Sequence, residues 1–188
     1  MAEPVLLEAL PIERAFDLPP LAAVPGVKVG IAPIRVAIGL GSTHGAPGLP
    51  EALDELLGHR LDRRPGACQG DDPCSIWTGP DRWLVTSDRM ERFLLVDRIM
   101  AAVPRSVLVT DVTDGLPAIE VAGPNARALL AHGCSVEVAD GCSARTLLAL
   151  QPVTLVAKGE RIRVFADRSL VPYLWSWIGR HMPLAGSI

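Results

Sequence analysis

Any chemistry in this 188-residue chain must come from four histidines, four cysteines, a glycine-rich stretch and a few close acidic pairs. A nucleophilic mechanism needs a serine or cysteine with a base in reach. His44, His59, His132 and His181 stand apart from one another, and none has a serine or cysteine in a recognisable sequence relation. There is no Gly-x-Ser-x-Gly elbow. His132 falls at the end of an expected helix, where a partly charged imidazole suits the helix dipole, so its expected role is capping. Asp111 and Asp114 flank a strand-turn and are expected to bond nearby backbone. Asp71 and Asp72, with Arg63 and Arg64, read as a solvated rim, since adjacent carboxylates rarely converge on one atom and no apolar pocket is expected around them. Cys68, Cys74, Cys134 and Cys142 form no Cys-x-x-Cys pair and match no zinc spacing, which leaves free and mostly buried thiols as the expectation. No catalytic, cofactor-binding or metal-ligating residue is therefore expected.

The stretch GLGSTHGAPG, residues 39–48, follows a strand-like run and invites comparison with a dinucleotide-binding turn. That turn needs its third glycine five residues after the first, opening a helix at once. Here Gly45 is six residues on, Pro47 and Pro50 interrupt, and no second parallel strand ends in an acid. A loop is the expected structure.

The positioning elements follow from periodicity. Ile34, Val36, Ile38 and Leu40 alternate with Arg35, Ala37 and Gly39, the period of a strand with one dry face. Pro50 starts a helix with Leu53, Leu56, Leu57 and Leu61 along one side and Glu51, Asp54 and Glu55 near its positive end. Between Val107 and Leu150, Ile119 and Val121 oppose Ala118 and Glu120 as in a half-buried strand. Gly123-Pro124 then opens a short helix carrying Ala126, Leu129 and Leu130, with Pro124 at its first position and Gly133 as its left-handed cap. Ser75–Arg89 and Leu155–Arg168 share one pattern: strand, tight turn, strand, then Asp-Arg opening an apolar helix that the aspartate can cap. The expected fold is α+β, with two related β-β-α modules around a central strand-helix-strand unit, antiparallel sheets, and helices over the sheet faces.

Composition sets the limits. Hydrophobic residues make up 49% against 21% charged, which excludes global disorder. A formal charge of -3 argues against a nucleic-acid binder. No uninterrupted apolar run is long enough to span a membrane, and MAEPVLLEALPIERAF has no basic n-region, so a cytoplasmic location without membrane contact is expected. Residues 1–26, with five prolines, read as an arm, and residues 27–188 as a single domain. On a helical wheel the last helix spreads apolar residues over an arc of about 200°, twice what one-sided docking needs. Leu170, Tyr173, Leu174, Trp175, Trp177 and Ile178 are thus candidates for a subunit interface, unless the N-terminal arm folds back over the extra face.

The segments GPDRWLV (79–85), VTDVTDGLPAIEVAGPNARALLAHGC (109–134), CSARTLLA (142–149) and RIRVFADRSLVPYLWSWI (161–178) resemble, in order and spacing, the gamma subunit of heterotetrameric sarcosine oxidase. The pair Gly133-Cys134 followed by Cys142–Leu148 is the most specific part, and the connection Val136–Gly141 is shorter than the family's loop. The resemblance implies a fold similar to the folate-binding domain of the glycine-cleavage aminomethyltransferase. It also implies a cofactor-free, non-catalytic gamma subunit. Its partners would be larger alpha and beta subunits carrying FAD, FMN, NAD and a tetrahydrofolate site. Such a complex oxidatively demethylates sarcosine or a related N-methyl amine and passes the one-carbon unit to tetrahydrofolate. The aminomethyltransferases carry an Asn-Asp pair after the Gly-Pro helix whose carboxylate engages folate; the corresponding residues here are Cys134 and Ser135. A neutral pair cannot stabilise a developing cation as an aspartate would, so that role does not carry over. The alternative expectation is a stand-alone tetrahydrofolate-binding or one-carbon-transfer protein of the same fold.

Overall fold

Alternation of apolar and polar side chains, the pattern that announced the strands, here resolves into two sheets that share an inner face and are each covered by helices outside. The computed structural model describes residues 17–42 and 49–185. The helix-prone stretch near Val5–Leu10, His44 and most of the glycine-rich stretch lie outside the described residues.

In chain order the elements are β1 (Lys28–Ile31), β2 (Val36–Ser42), α1 (Leu49–Leu57), β3 (Cys68–Gln69), β4 (Cys74–Gly79), β5 (Arg82–Ser87) and α2 (Arg92–Ala102). There follow β6 (Val107–Asp111), β7 (Ala118–Ala122), α3 (Ala126–Ala131), β8 (Ser143–Leu148), β9 (Gln151–Lys158) and β10 (Arg161–Phe165). A 3-10 turn at Arg168–Leu170 leads into α4 (Val171–Ala185). The same succession, two strands, a helix, three strands and a helix, thus runs twice. One sheet has the order β3-β4-β5-β2-β6 and the other β8-β9-β10-β7-β1. Adding five to the strand numbers of the first reproduces the second, except at one edge. There each half lends its leading strand, β1 or β6, to the other half's sheet. Every strand pair is antiparallel.

Period-two alternation fixes what each face does. In the first sheet Val36, Ile38, Leu40, Trp83 and Val85 point outward, where Leu53, Leu57, Leu95 and Ile99 of α1 and α2 cover them. In the second, Ile119, Val121, Leu155, Ile162 and Val164 point outward beneath Leu129, Leu130, Leu174 and Ile178 of α3 and α4. The intervening residues Ala37, Ile76, Leu84, Ala118, Val156 and Phe165 meet in a third core between the sheets. The order of layers is helix, sheet, sheet, helix. The strand-helix-strand stretch expected at the centre belongs to one sheet, as β7, α3 and β8; the contact between the sheets stands at the centre.

Several local expectations resolve differently. Asn125, not Gly123, is the N-cap of α3, so Pro124 precedes the helix instead of opening it. His132 stands at the C-cap position, where its backbone N–H donates to the Leu129 and Leu130 carbonyls. Gly133 is not left-handed; an added Cβ would stand 2.4 Å from Trp177 Cζ2, so glycine is required for close helix-helix approach. Gly123 has φ +112°, and a Cβ there would meet the Gly26 carbonyl oxygen at 2.4 Å. Asp167 caps its turn by accepting from Ser169 N at 2.8 Å. Asp88 caps nothing: Glu91 takes that role for α2, accepting from Phe93 N and Leu94 N. Among the described residues no helix is long and apolar enough to cross a membrane.

The apolar excess of α4 is largely taken up inside the chain. Leu174, Trp175, Trp177 and Ile178 are buried, whereas Leu170 is half-buried and Tyr173 exposed. Leu18, Leu21 and Val24 pack against this core. The Pro19 carbonyl accepts from Trp175 Nε1 at 2.8 Å, and a Cβ on Gly179 would stand 2.8 Å from Leu21 Cδ2. The folded-back arm, one of the two outcomes expected from sequence, is what covers the helix.

Candidate functional site

The inner faces of the two sheets do not close completely. Toward one end the alternation that buries Val156 and Phe165 also delivers Lys158, Arg161 and Arg163 to the gap, opposite Asp72 and Asp88 from the other sheet. They border a cleft of about 510 Å³ floored by Ile76, Val156 and Phe165. Arg163 is the hinge of this arrangement. Its guanidinium donates from Nη1 to Asp88 Oδ1 at 3.0 Å and from Nη2 to Asp88 Oδ2, across the gap. Its Nε donates to Glu120 Oε2 at 3.2 Å on the neighbouring strand. Burial lowers the proton affinity of Arg163, but pairing with Asp88 and then Glu120 more than reverses this and holds its pKa above the ordinary value. Its planar five-donor fork lets arginine make a bidentate bond to one carboxylate and still reach a second, a geometry the ammonium of lysine does not reproduce.

The aspartate pair expected at a solvated rim divides. Asp71 is fully exposed, and its Oδ1 lies 3.4 Å from Lys158 Nζ. Asp72 is only 12% exposed; its Oδ1 accepts from Asp88 N at 3.0 Å, and its Oδ2 has no hydrogen-bond partner. The expectation that no apolar pocket surrounds the pair is therefore corrected: both aspartates line the cleft, Asp71 from its exposed mouth and Asp72 deeper, beside apolar floor residues. The reason is tertiary, because the pocket walls come from β9 and β10, some 80 residues later in the chain. Lys158 Nζ also donates to the Gly70 carbonyl at 2.5 Å, tying the β3–β4 loop to the far sheet.

Among the described residues, His59 and His181 each make close contacts within the fold. His59 Nε2 lies 2.8 Å from Ser75 Oγ, a serine-histidine contact across 16 residues that spacing alone could not reveal. Ser75 is 2% exposed and lines none of the cavities described. The His181 ring stacks on Trp177 with centroids 4.2 Å apart, and its Nδ1 lies 2.8 Å from the Trp177 carbonyl oxygen. Asp111 does bond local backbone, accepting from Thr113 N at 3.0 Å, but it also accepts from Arg92 Nε at 2.6 Å. Arg92 reaches Asp114 Oδ2 at 2.8 Å as well, so the two aspartates fasten α2 to the turn after β6. Burial pushes the Asp111 carboxyl up; Arg92 and Thr113 outweigh that and hold it below its usual range. Gly39 and Gly41 lie in β2, antiparallel to both β5 and β6, which is not the parallel strand-helix geometry of a dinucleotide site. No group of three or more potential metal ligands occurs among the described residues.

Two consequences are measurable. Arg163→Ala leaves Asp88 and Glu120 without their shared partner and is expected to cost about 3 kcal/mol in denaturant unfolding, with Arg163→Lys recovering less than half. Burial lowers the pKa of His59 below its ordinary 6.5. Above pH 6.5 neither the folded nor the unfolded form is charged and stability is full. Below it the unfolded chain takes the proton first, so stability declines as pH falls toward the folded-state pKa. His59→Gln should flatten the stability–pH curve in that window. An unchanged slope would assign the dependence to other groups.

No family model matches the chain, and no curated protein matches it. Solved structures do. A chain of the heterotetrameric sarcosine oxidase from Corynebacterium sp. U-96, solved in complex with pyrrole 2-carboxylate, superposes with a TM-score of 0.79 over 93% of each chain at 22% identity. The glycine cleavage system aminomethyltransferase T from Bartonella henselae superposes with a TM-score of 0.64 at 11% identity. That match covers 81% of this chain but only 45% of the aminomethyltransferase. At these identities the likeness is one of fold: the chain has the α+β fold of this sarcosine oxidase chain and of the matching part of aminomethyltransferase T.

Proposed function

We propose that the chain is a non-catalytic, gamma-type subunit of a heterotetrameric sarcosine oxidase-like flavoprotein. In this reading the complex oxidatively demethylates sarcosine or a related N-methyl amine and transfers the one-carbon unit to tetrahydrofolate. Larger alpha and beta partners carry FAD, FMN, NAD and the folate site, and the setting is cytoplasmic. One observation carries the reading: the match to the sarcosine oxidase chain extends over 93% of both chains, whereas the aminomethyltransferase match leaves more than half of that enzyme uncovered. The cleft adds support, because Arg163 is matched by Asp88 across the sheets and by Glu120 on the neighbouring strand, and Lys158 by Asp71, so these charges pair with one another instead of converging on a reactive atom.

Of the interface candidates read from sequence, Leu170 and Tyr173 retain surface to offer a partner. Tyr173 Oη donates to the Ala149 carbonyl at 3.1 Å, which joins α4 to the β8–β9 turn. That turn holds Ala149 at φ +50° and Leu150 at φ +65°, a conformation suited to Asn-Gly and strained for a leucine. Leu150 is nevertheless 82% exposed, with Leu147 half exposed beside it in β8. A strained turn that aims a large apolar side chain at solvent fits a subunit contact better than it fits a free surface.

The test is assembly and turnover. The purified chain should neither demethylate sarcosine nor bind tetrahydrofolate in the micromolar range, and should join flavin-bearing subunits when co-expressed with them. Micromolar folate binding by the chain alone would favour the stand-alone one-carbon protein, and turnover by it alone would overturn the subunit reading. Leu150→Gly relieves the left-handed strain, so it should stabilise the isolated chain by about 0.5–1 kcal/mol. The same change should weaken assembly at least tenfold, an opposition of sign that general destabilisation cannot mimic.

A further inference from the structure

Two of the four thiols, remote from any sequence motif, are brought together at the β3–β4 hairpin. Cys68 Sγ and Cys74 Sγ lie 3.2 Å apart and both side chains are buried. Both sulfurs belong to the core between the sheets. The register that pairs Cys68 with Ile76 and Gln69 with Ser75 sets their approach, and the intervening loop is held by Lys158 Nζ on the Gly70 carbonyl. His59 packs against the same loop, where a Cβ on Gly70 would stand 2.3 Å from its Nδ1. The pair is therefore positioned by both sheets, and each sulfur needs to move well under 1 Å for a covalent bond of about 2.05 Å to form.

The pair is also reachable. Cys74 lines the 510 Å³ cleft, and Cys68 lines a second cavity of about 440 Å³ beside Asp140, Gly141 and Gly159. Charged groups facing Cys74 come from the far sheet, Lys158 on β9 and Arg163 on β10. The other two cysteines have different surroundings: Cys134 Sγ donates to the Val136 carbonyl at 3.4 Å, and Cys142 is half-buried.

We propose that Cys68 and Cys74 are a redox-active dithiol that a small peroxide entering the cleft converts to a disulfide. Cys74, which lines the cleft and faces Lys158 and Arg163, is the attacking sulfur. Its contact with Cys68 and the positive charge of Lys158 outweigh burial and hold the Cys74 thiol below its ordinary value. The Cys74 thiolate attacks one peroxide oxygen; the S–O bond forms as the O–O bond breaks, the departing hydroxide takes up a proton, and a sulfenic acid and one water result. Cys68 sulfur then attacks Cys74 Sγ, the S–O bond breaks, and the hydroxide leaves with the Cys68 proton as a second water. Two thiols are oxidised by two electrons and one peroxide is reduced to two waters. Burial of both sulfurs against Ile76 and Phe165 keeps competing thiols from the intermediate, so the partner cysteine resolves it.

The experiment uses the full chain and hydrogen peroxide alone. After equimolar peroxide and then denaturation, two of the four thiols should be lost to maleimide labelling, and the intact mass should fall by two hydrogens. Peptide mapping should return a single Cys68–Cys74 cross-link that dithiothreitol reverses. In Cys68→Ser the cross-link disappears and a cyclic diketone traps the sulfenic acid on Cys74. Uniform loss of all four thiols, oxidation of Cys74 to sulfinic acid without a cross-link in the unaltered chain, or continued labelling of both residues after peroxide would each overturn the proposal. The unaltered chain decides the matter even where the serine variant folds poorly.

Discussion

Arg163 is the interaction on which the architecture turns. Its strand neighbours Ile162 and Val164 point at α3 and α4, so the residue between them must face the other sheet. A cation in that position is tolerable only when carboxylates meet it, and Asp88 does so from the opposite sheet while Glu120 does so from the adjacent strand. The apolar contacts between sheets can tolerate sliding, because Ala37, Leu84, Ala118 and Val156 offer no direction. The two-pronged bond to Asp88 does not: it sets the register of one sheet on the other. The cleft beside it exists because charged side chains hold the sheet ends apart where small apolar ones would let them close.

The repeated succession of elements gives the same logic a wider reach. Each half completes only four strands of its own sheet and takes the fifth from the other half, β6 beside β2 and β1 beside β7. Neither half can therefore bury its edge without its counterpart. The exchange explains why a chain of this size needs no long interdomain linker, and why Gly123 must be glycine where its backbone crosses Gly26 beside β1. The edges left over differ in character. β8 is shielded along part of its length by the β3 side, through Ser143 N to the Gly66 carbonyl at 2.9 Å, while the far end of the same strand carries Leu147 into the exposed turn at Leu150.

Covering α4 illustrates how one observation can have two outcomes. An apolar arc wider than docking requires demands some partner, and composition cannot say whether it comes from the same chain. The contacts of Pro19 and Leu21 answer for most of the arc, which moves the remaining surface toward Tyr173 and the β8–β9 turn. A partner surface built on a strained turn and the end of a helix is smaller and more directional than a bare helix face.

What the amino-acid order determined alone is the set of elements: alternating Val36–Leu40 and Ala118–Ala122 could only be strands, the two hairpins followed by helices were legible from their turns, and the resemblance to the sarcosine oxidase gamma subunit pointed to the fold that the solved structures display. These are local properties, set by side-chain period and turn chemistry. Tertiary structure decided everything that joins residues far apart. It sent Asp88 to Arg163 instead of to a helix cap, placed Asp72 in a cleft whose walls are contributed by β9 and β10, and brought His59 to Ser75. It set Cys68 beside Cys74 through the β3–β4 register and made Gly133 a packing glycine under Trp177. Periodicity states which way a side chain points, and only the packing of one sheet on another states what it meets there.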